Sequence, residues 1–218
     1  MRKQRFIPRL VQLLPDPGAG AADALALFGD TLAPALRDIL ARDDEPVEVR
    51  REIPEVLRRI GTAAAANALA GNLLQGDIEL RFRIISALNK LCELRRNLAL
   101  DKQLIETVML AEIMGHYRSY QIFGTNGAPD ETLQKSLNAE LERIFRLMKL
   151  LFPSIDLQNA YLGIQSSDPV MHANALEFLD NALNPRLRAH LAPLIDSEVS
   201  LQERVRLANR FLGFTVQA

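Results

Sequence analysis

DEPVEVRREIPEVLRRIG, residues 44–61, decides the fold, because its pattern returns further along the chain. GDIELRFRIISALNKL, residues 76–91, repeats it closely, and DPVMHANALEFLDNAL, residues 168–183, repeats it more loosely. Each copy opens on an acidic, turn-forming start and continues with apolar residues three and four apart, the spacing of one helix face. Val49, Ile53, Val56, Leu57 and Ile60 form that stripe in the first copy, with Arg50, Arg51, Glu55, Arg58 and Arg59 mostly off it and Pro54 predicting a bend. Val49, Arg50, Ile53, Leu57 and Ile60 align with Leu80, Arg81, Ile84, Leu88 and Leu91, thirty-one residues on. In the third copy Met171, His172, Ala175 and Leu179 take the places of Val49, Arg50, Ile53 and Leu57. A helical unit too small to bury its own apolar face must borrow its core from neighbours, so the repeat predicts a stack.

Outward from these copies, PDPGAG at residues 15–20 ends a first helix and a short helix fits residues 21–28. Thr31 is the expected cap of the next helix, with Pro34 in its first turn, where a missing N–H has no helical duty. Gly61 and Thr62 read as a C-cap followed by an N-cap for the Ala-rich helix TAAAANALAGNLLQ, whose small side chains let a neighbour approach closely. The helix after Asp77 is expected to turn Ile78, Ile84, Ala87, Leu88 and Leu91 inward. The period then lapses. Residues 101–123 read as one helix of about 34 Å, the segment GTNGAPD as a turn, and residues 131–152 as a second long helix, an antiparallel hairpin set into the stack. Four shorter helices follow, at residues 155–165, 169–183, 185–195 and 200–212.

The expected fold is therefore all-α: a right-handed α-solenoid of helix pairs in a single domain, with N-terminal repeats over residues 1–98, a long helical hairpin over 99–152 and C-terminal repeats over 153–218. The 218 residues are 48% hydrophobic and 24% charged, the balance of a folded globular chain. A formal net charge of −1 gives no general attraction for nucleic acid or anionic lipid. MRKQRFIPRLVQLL has a basic start, but Pro8 and Arg9 interrupt its apolar run before it reaches signal-peptide length, and the longest uncharged run, residues 62–76, falls short of the roughly 20 residues of a membrane span. Direct membrane insertion is not expected, and a cytoplasmic location is. Cys92 stands alone, so no internal disulfide can form, and it reads as a core thiol.

Asp44, Pro46, Val49 and Arg50 resemble the turn acid, Pro and Val-Arg that open the second helix of a HEAT-like repeat. The resemblance implies an Asp–Arg ladder between neighbouring repeats, here Asp44 with Arg50. Gln75 and Ser166 stand where later ladder acids belong, and His172 replaces the Arg. Residues 142–183 are similar, more narrowly, to the soluble HEAT-like region that follows the membrane part of some bacterial proteins related to ADP/ATP translocases of the major facilitator type. That similarity implies a cytoplasmic domain tied to a membrane-protein partner, at the inner face of the membrane, and brings no catalytic residue with it.

Reactive constellations are weak. GAGAAD at residues 18–23 lacks the third glycine and the preceding strand of a dinucleotide loop. His116, His172 and His190 lack metal-ligand spacing, and no serine sits in a GxSxG context. Neither cofactor nor metal is expected. The residues offered for partner binding are Arg83, Lys90, Arg95 and Arg96, the freer members of a basic row; His116, Tyr117 and Tyr120, a cluster on the long helix; and His172, Asn174 and Asn181, polar groups at helical spacing on the third copy. The expectation is a non-catalytic scaffold offering a curved helical face to another protein. A regulatory or coupling domain of a membrane nucleotide carrier is the alternative, and a HEAT-like lyase acting on bilins a further one.

Overall fold

Thr62 accepts a hydrogen bond from the Ala65 N–H and Asp77 accepts one from the Leu80 N–H, so two of the chain's helices start where short oxygen-bearing side chains can satisfy otherwise orphaned donors. Asp156, Asp168, Asn184 and Ser200 do the same for four later helices. The computed structural model describes residues 4–95, 98–123 and 131–213, and among them all regular structure is helical. Two compact units divide the chain, Met1–Ile105 and Glu106–Ala218.

In the first unit lie α1 (Ile7–Gln12), α2 (Ala21–Ala26), α3 (Ala33–Ala41), α4 (Val47–Ile60), α5 (Ala63–Ala70) and α6 (Ile78–Leu94). Helix α4 packs against both α2 and α6, while α5 packs against α3, α4 and α6. The result is a layer of α2, α4 and α6 backed by a layer of α3 and α5, the arrangement of stacked helix pairs in an α-solenoid. Val49, Ile53 and Leu57 are buried, and so are their counterparts Leu80, Ile84 and Leu88. Each aliphatic side chain buried this fully contributes about 1.5–3 kcal/mol of transfer free energy before conformational entropy is charged against it. Ala65, Ala66 and Ala68 are buried where α5 meets its neighbours, the close approach that their size allows.

Several details differ from the sequence reading. Ile78 faces solvent at 57% exposure and Leu80 is buried instead, because two residues on a helix are separated by about 200° and cannot share a face. Thr31 does not cap α3; it lies in the 3-10 turn Gly29–Thr31, its hydroxyl donates to the Phe28 carbonyl at 2.7 Å, and α3 follows Leu32 without a side-chain cap. Arg50 pairs with Asp43 at 3.1 Å, and Asp44 is held by Arg42 at 2.7 Å, so the ladder acid is one residue earlier than expected. Arg50 itself is buried. Its guanidinium donates to the Leu40 carbonyl and to the Gln75 side-chain oxygen, so an amide supplies the acceptor that the ladder needs from the next repeat. Pro54 is buried within a continuous α4.

The second unit takes in most of α7 (Lys102–Phe123), then α8 (Glu131–Leu151), α9 (Leu157–Ile164), α10 (Pro169–Ala182), α11 (Pro185–Ile195) and α12 (Leu201–Leu212). Glu112 meets Arg143 at 3.0 Å and His116 meets Glu140 at 2.8 Å, so α7 and α8 run antiparallel as the expected hairpin. The turn GTNGAPD, residues 124–130, lies outside the described residues. Helix α9 packs on α8 and on α10. Gly163 is the contact point: a Cβ there would stand 2.7 Å from the Ala175 Cβ, so only a glycine permits this approach. Met171, expected inward by alignment, is 53% exposed, while Ala175 and Leu179 are buried.

Candidate partner-binding cleft

The carboxyl ends of α2, α4 and α6 come together in the first unit, because each helix pair starts its second helix from the same side of the stack. Asp23, Ala24, Ala26 and Leu27 from α2 and the residue after it, Arg58 to Gly61 from the end of α4, and Leu94 with Arg95 from the end of α6 line an open cleft there. A second, mostly apolar hollow adjoins it, formed by Phe6, Arg9, Leu10, Ala24, Leu27 and Phe28. Leu27 is 89% exposed and Leu94 72%, and Phe6 is also exposed. Gly61 ends α4 at φ 70°, a left-handed conformation that glycine adopts without strain.

The charged residues around the cleft divide into bound and unbound. Glu55 accepts from Arg58 and from Arg59, and Arg59 also pairs with Asp23, tying α4 to α2. The hydrogen bonds from Arg58, with Arg59 assisting and burial opposing, hold the Glu55 carboxyl down at about 2. Arg9 and Arg95 have no carboxylate partner among the described residues. Arg5 lies over the Phe6 ring, 4.8 Å from its centroid.

Of the residues offered from sequence for partner binding, Arg95 alone lines this cleft. Lys90 is exposed on α6, and Arg96 lies outside the described residues. Arg83 is not free: it pairs with Glu79 on its own helix and with Glu52 on α4, both at 2.7 Å. Arg51 and Asp77 make a further interhelix pair at 2.7 Å, which keeps the Asp77 carboxyl below its ordinary range. Arg50, Arg51 and Arg83 are thus consumed by ties between repeats.

His116, Tyr117 and Tyr120 are buried in the second unit. The Glu140 carboxylate joins His116 Nδ1 at 2.8 Å and accepts from the Ser119 hydroxyl at 2.9 Å; the Tyr117 hydroxyl donates to the His190 carbonyl, and Arg204 donates to the Tyr120 hydroxyl. Burial pushes both phenols upward. His172 is half-buried, its Nδ1–H donating to the Ile164 carbonyl at 3.1 Å. Asn174 and Asn181 are exposed on α10, with Asn181 donating to the Glu177 carbonyl. Cys92 is half-buried, and desolvation raises its thiol. Among the described residues no cluster of His, Cys, Asp or Glu could hold a metal ion, and no helix is long and apolar enough to cross a membrane.

Sequence reasoning missed Phe6, Arg9, Leu27 and Leu94. The one legible signal was Leu27, an apolar residue two before Gly29 at a helix end, where no partner face is implied.

Residues 5–89 match the family model described as HEAT repeats, which covers five of the first unit's six helices whole and most of α6. The crystal structure of an engineered protein is 17% identical over 97% of this chain and 99% of that one, with a TM-score of 0.33, a likeness too slight to carry an argument. No curated protein matches the chain.

Proposed function

We propose that this chain is a non-catalytic scaffold that binds another protein through the cleft at the carboxyl ends of α2, α4 and α6, with residues 1–218 serving as one functional domain. The observation that carries the reading is the exposure of Leu27, Leu94 and Phe6 around two adjoining hollows that share Ala24 and Leu27. Large apolar side chains gathered in this way are covered at little cost by a partner, and such patches mark interaction sites on otherwise polar surfaces. Stacked HEAT repeats provide the rigid support on which a partner can dock without the scaffold reordering.

The test is quantitative co-purification from the source cell with the unaltered chain and with Leu27→Asp/Leu94→Asp. Both positions are exposed, so the variant is expected to keep its helical circular dichroism. A protein recovered reproducibly with the unaltered chain and lost with the variant supports the scaffold reading; recovery of the same proteins with both refutes it. An upstream membrane-spanning segment in the same reading frame would assign the cleft's partner to the carrier-coupled alternative.

A further inference from the structure

Resting on that scaffold reading, we infer that the occupant of the cleft is an acidic amphipathic segment of a protein: apolar side chains against Leu27, Leu94 and Phe6, with carboxylates reaching Arg9 at one end and Arg95 at the other. The lining supplies both halves of this description. Four arginines, Arg9, Arg58, Arg59 and Arg95, stand there with one carboxylate, Asp23, in a chain whose formal net charge is −1. Positive charge is concentrated locally, on a surface that is otherwise close to balanced.

Pairing decides which arginines are available. Glu55 and Asp23 satisfy Arg58 and Arg59. Arg9 and Arg95 flank the exposed leucines without a carboxylate partner among the described residues, and Arg5 adds a third cation beside Phe6. The helix ends oppose this: each carboxyl terminus carries about half a negative charge. That partial charge is spread over several carbonyls and fades within a turn, whereas a guanidinium carries a full charge and five donors on a flexible arm. Covering the cleft with a neutral segment would strip water from Arg9 and Arg95 and return at most neutral acceptors, leaving both charges without a counter-charge. A basic segment would add repulsion to that cost. Carboxylates of a protein segment restore both the hydrogen bonds and the counter-charge, bidentately where geometry permits.

The experiment uses the full chain and three labelled helical peptides with the same leucine face and a solvent face of glutamate, glutamine or lysine, read by fluorescence anisotropy. The glutamate peptide should bind about tenfold tighter than the lysine peptide and weaken as salt rises. Arg9→Glu/Arg95→Glu should erase that preference, while Leu27→Asp should remove binding of all three. Both arginines are at the surface, and retained circular dichroism checks the fold. Equal binding of the glutamate and glutamine peptides overturns the acidic assignment. So does preferential binding to phosphatidylglycerol vesicles that depends on Leu27, or a Leu27-dependent dimer in light scattering. Each of those results leaves standing, or separately refutes, the scaffold reading, which rests on co-purification with the leucine variant and not on charge.

Discussion

Replacing Gly163 by Ala should loosen the second unit although alanine is the better helix former. The added Cβ would lie 2.7 Å from the Ala175 Cβ and 3.3 Å from the Met171 carbonyl oxygen. Carbon atoms rest about 3.5–4.0 Å apart, so the overlap is roughly 1 Å. Neither neighbour can rotate away: one is a methyl fixed to the backbone and the other is backbone. Helices α9 and α10 must therefore separate, and overpacking of this kind costs about 1–3 kcal/mol. Against it stands a propensity gain of about 1 kcal/mol for Ala over Gly within a helix. With rigid atoms on both sides the clash prevails, giving a net loss of up to about 2 kcal/mol. Gly115, inside α7, is the matched control, since a Cβ there meets nothing within 4 Å; Gly115→Ala should gain about 0.5–1 kcal/mol. A second partner isolates the contact: Gly163→Ala/Ala175→Gly moves the methyl from one helix to the other, and should recover about 1–2 kcal/mol relative to the sum of the single changes. Urea unfolding followed by tyrosine fluorescence measures this unit selectively, because the chain has no tryptophan and Tyr117, Tyr120 and Tyr161 all lie within Glu106–Ala218. Additive single changes, or a Gly163→Ala protein at least as stable as the parent, would refute the close-contact account.

The buried pair Glu112–Arg143, with side chains 4% and 5% exposed, predicts a second asymmetry. Glu112→Ala strands a buried guanidinium and should cost about 3–5 kcal/mol, whereas Glu112→Met/Arg143→Met should cost much less; urea midpoints in which the double variant is the weaker would contradict the reasoning. The third concerns alkali. Burial raises the phenols of Tyr117, Tyr120 and Tyr161 above the ordinary 10.0, so the stability they contribute is complete below pH 10.0 and is lost as pH climbs through their folded values. Phenolate absorbance should accordingly lag that of free tyrosine and rise together with loss of helical circular dichroism. Ordinary titration in a protein that stays helical would show that these hydroxyls reach water.

Helix positions were legible because they follow from periodicity and punctuation: Asp77, Gly61 and Thr62 act where their chemistry places them. Faces were legible except at helix starts, where Ile78 had no turn before it to fix its register. The cleft was not legible. Leu27 and Leu94 are separated by two complete repeats in sequence, and only stacking brings their helix ends to one place. The burial of the Tyr117 cluster was not legible for the opposite reason: polar atoms on a long helix read as surface until α8 and α12 supply Glu140 and Arg204 as partners.

Repetition itself explains which charges remain for function. Stacking at a fixed period sets each repeated side chain beside the next repeat, so a periodic arginine meets whatever acceptor recurs with it: Arg51 finds the Asp77 carboxylate, Arg83 finds that of Glu52, and Arg50 finds the Gln75 amide oxygen. Residues that share the period are spent on joining modules. Those that break it, Leu27 after a short helix and Arg95 after a long one, have no counterpart in the neighbouring repeat to cover them. The surface proposed for a partner is therefore the aperiodic part of a periodic chain, lining the cleft at the carboxyl ends of α2, α4 and α6.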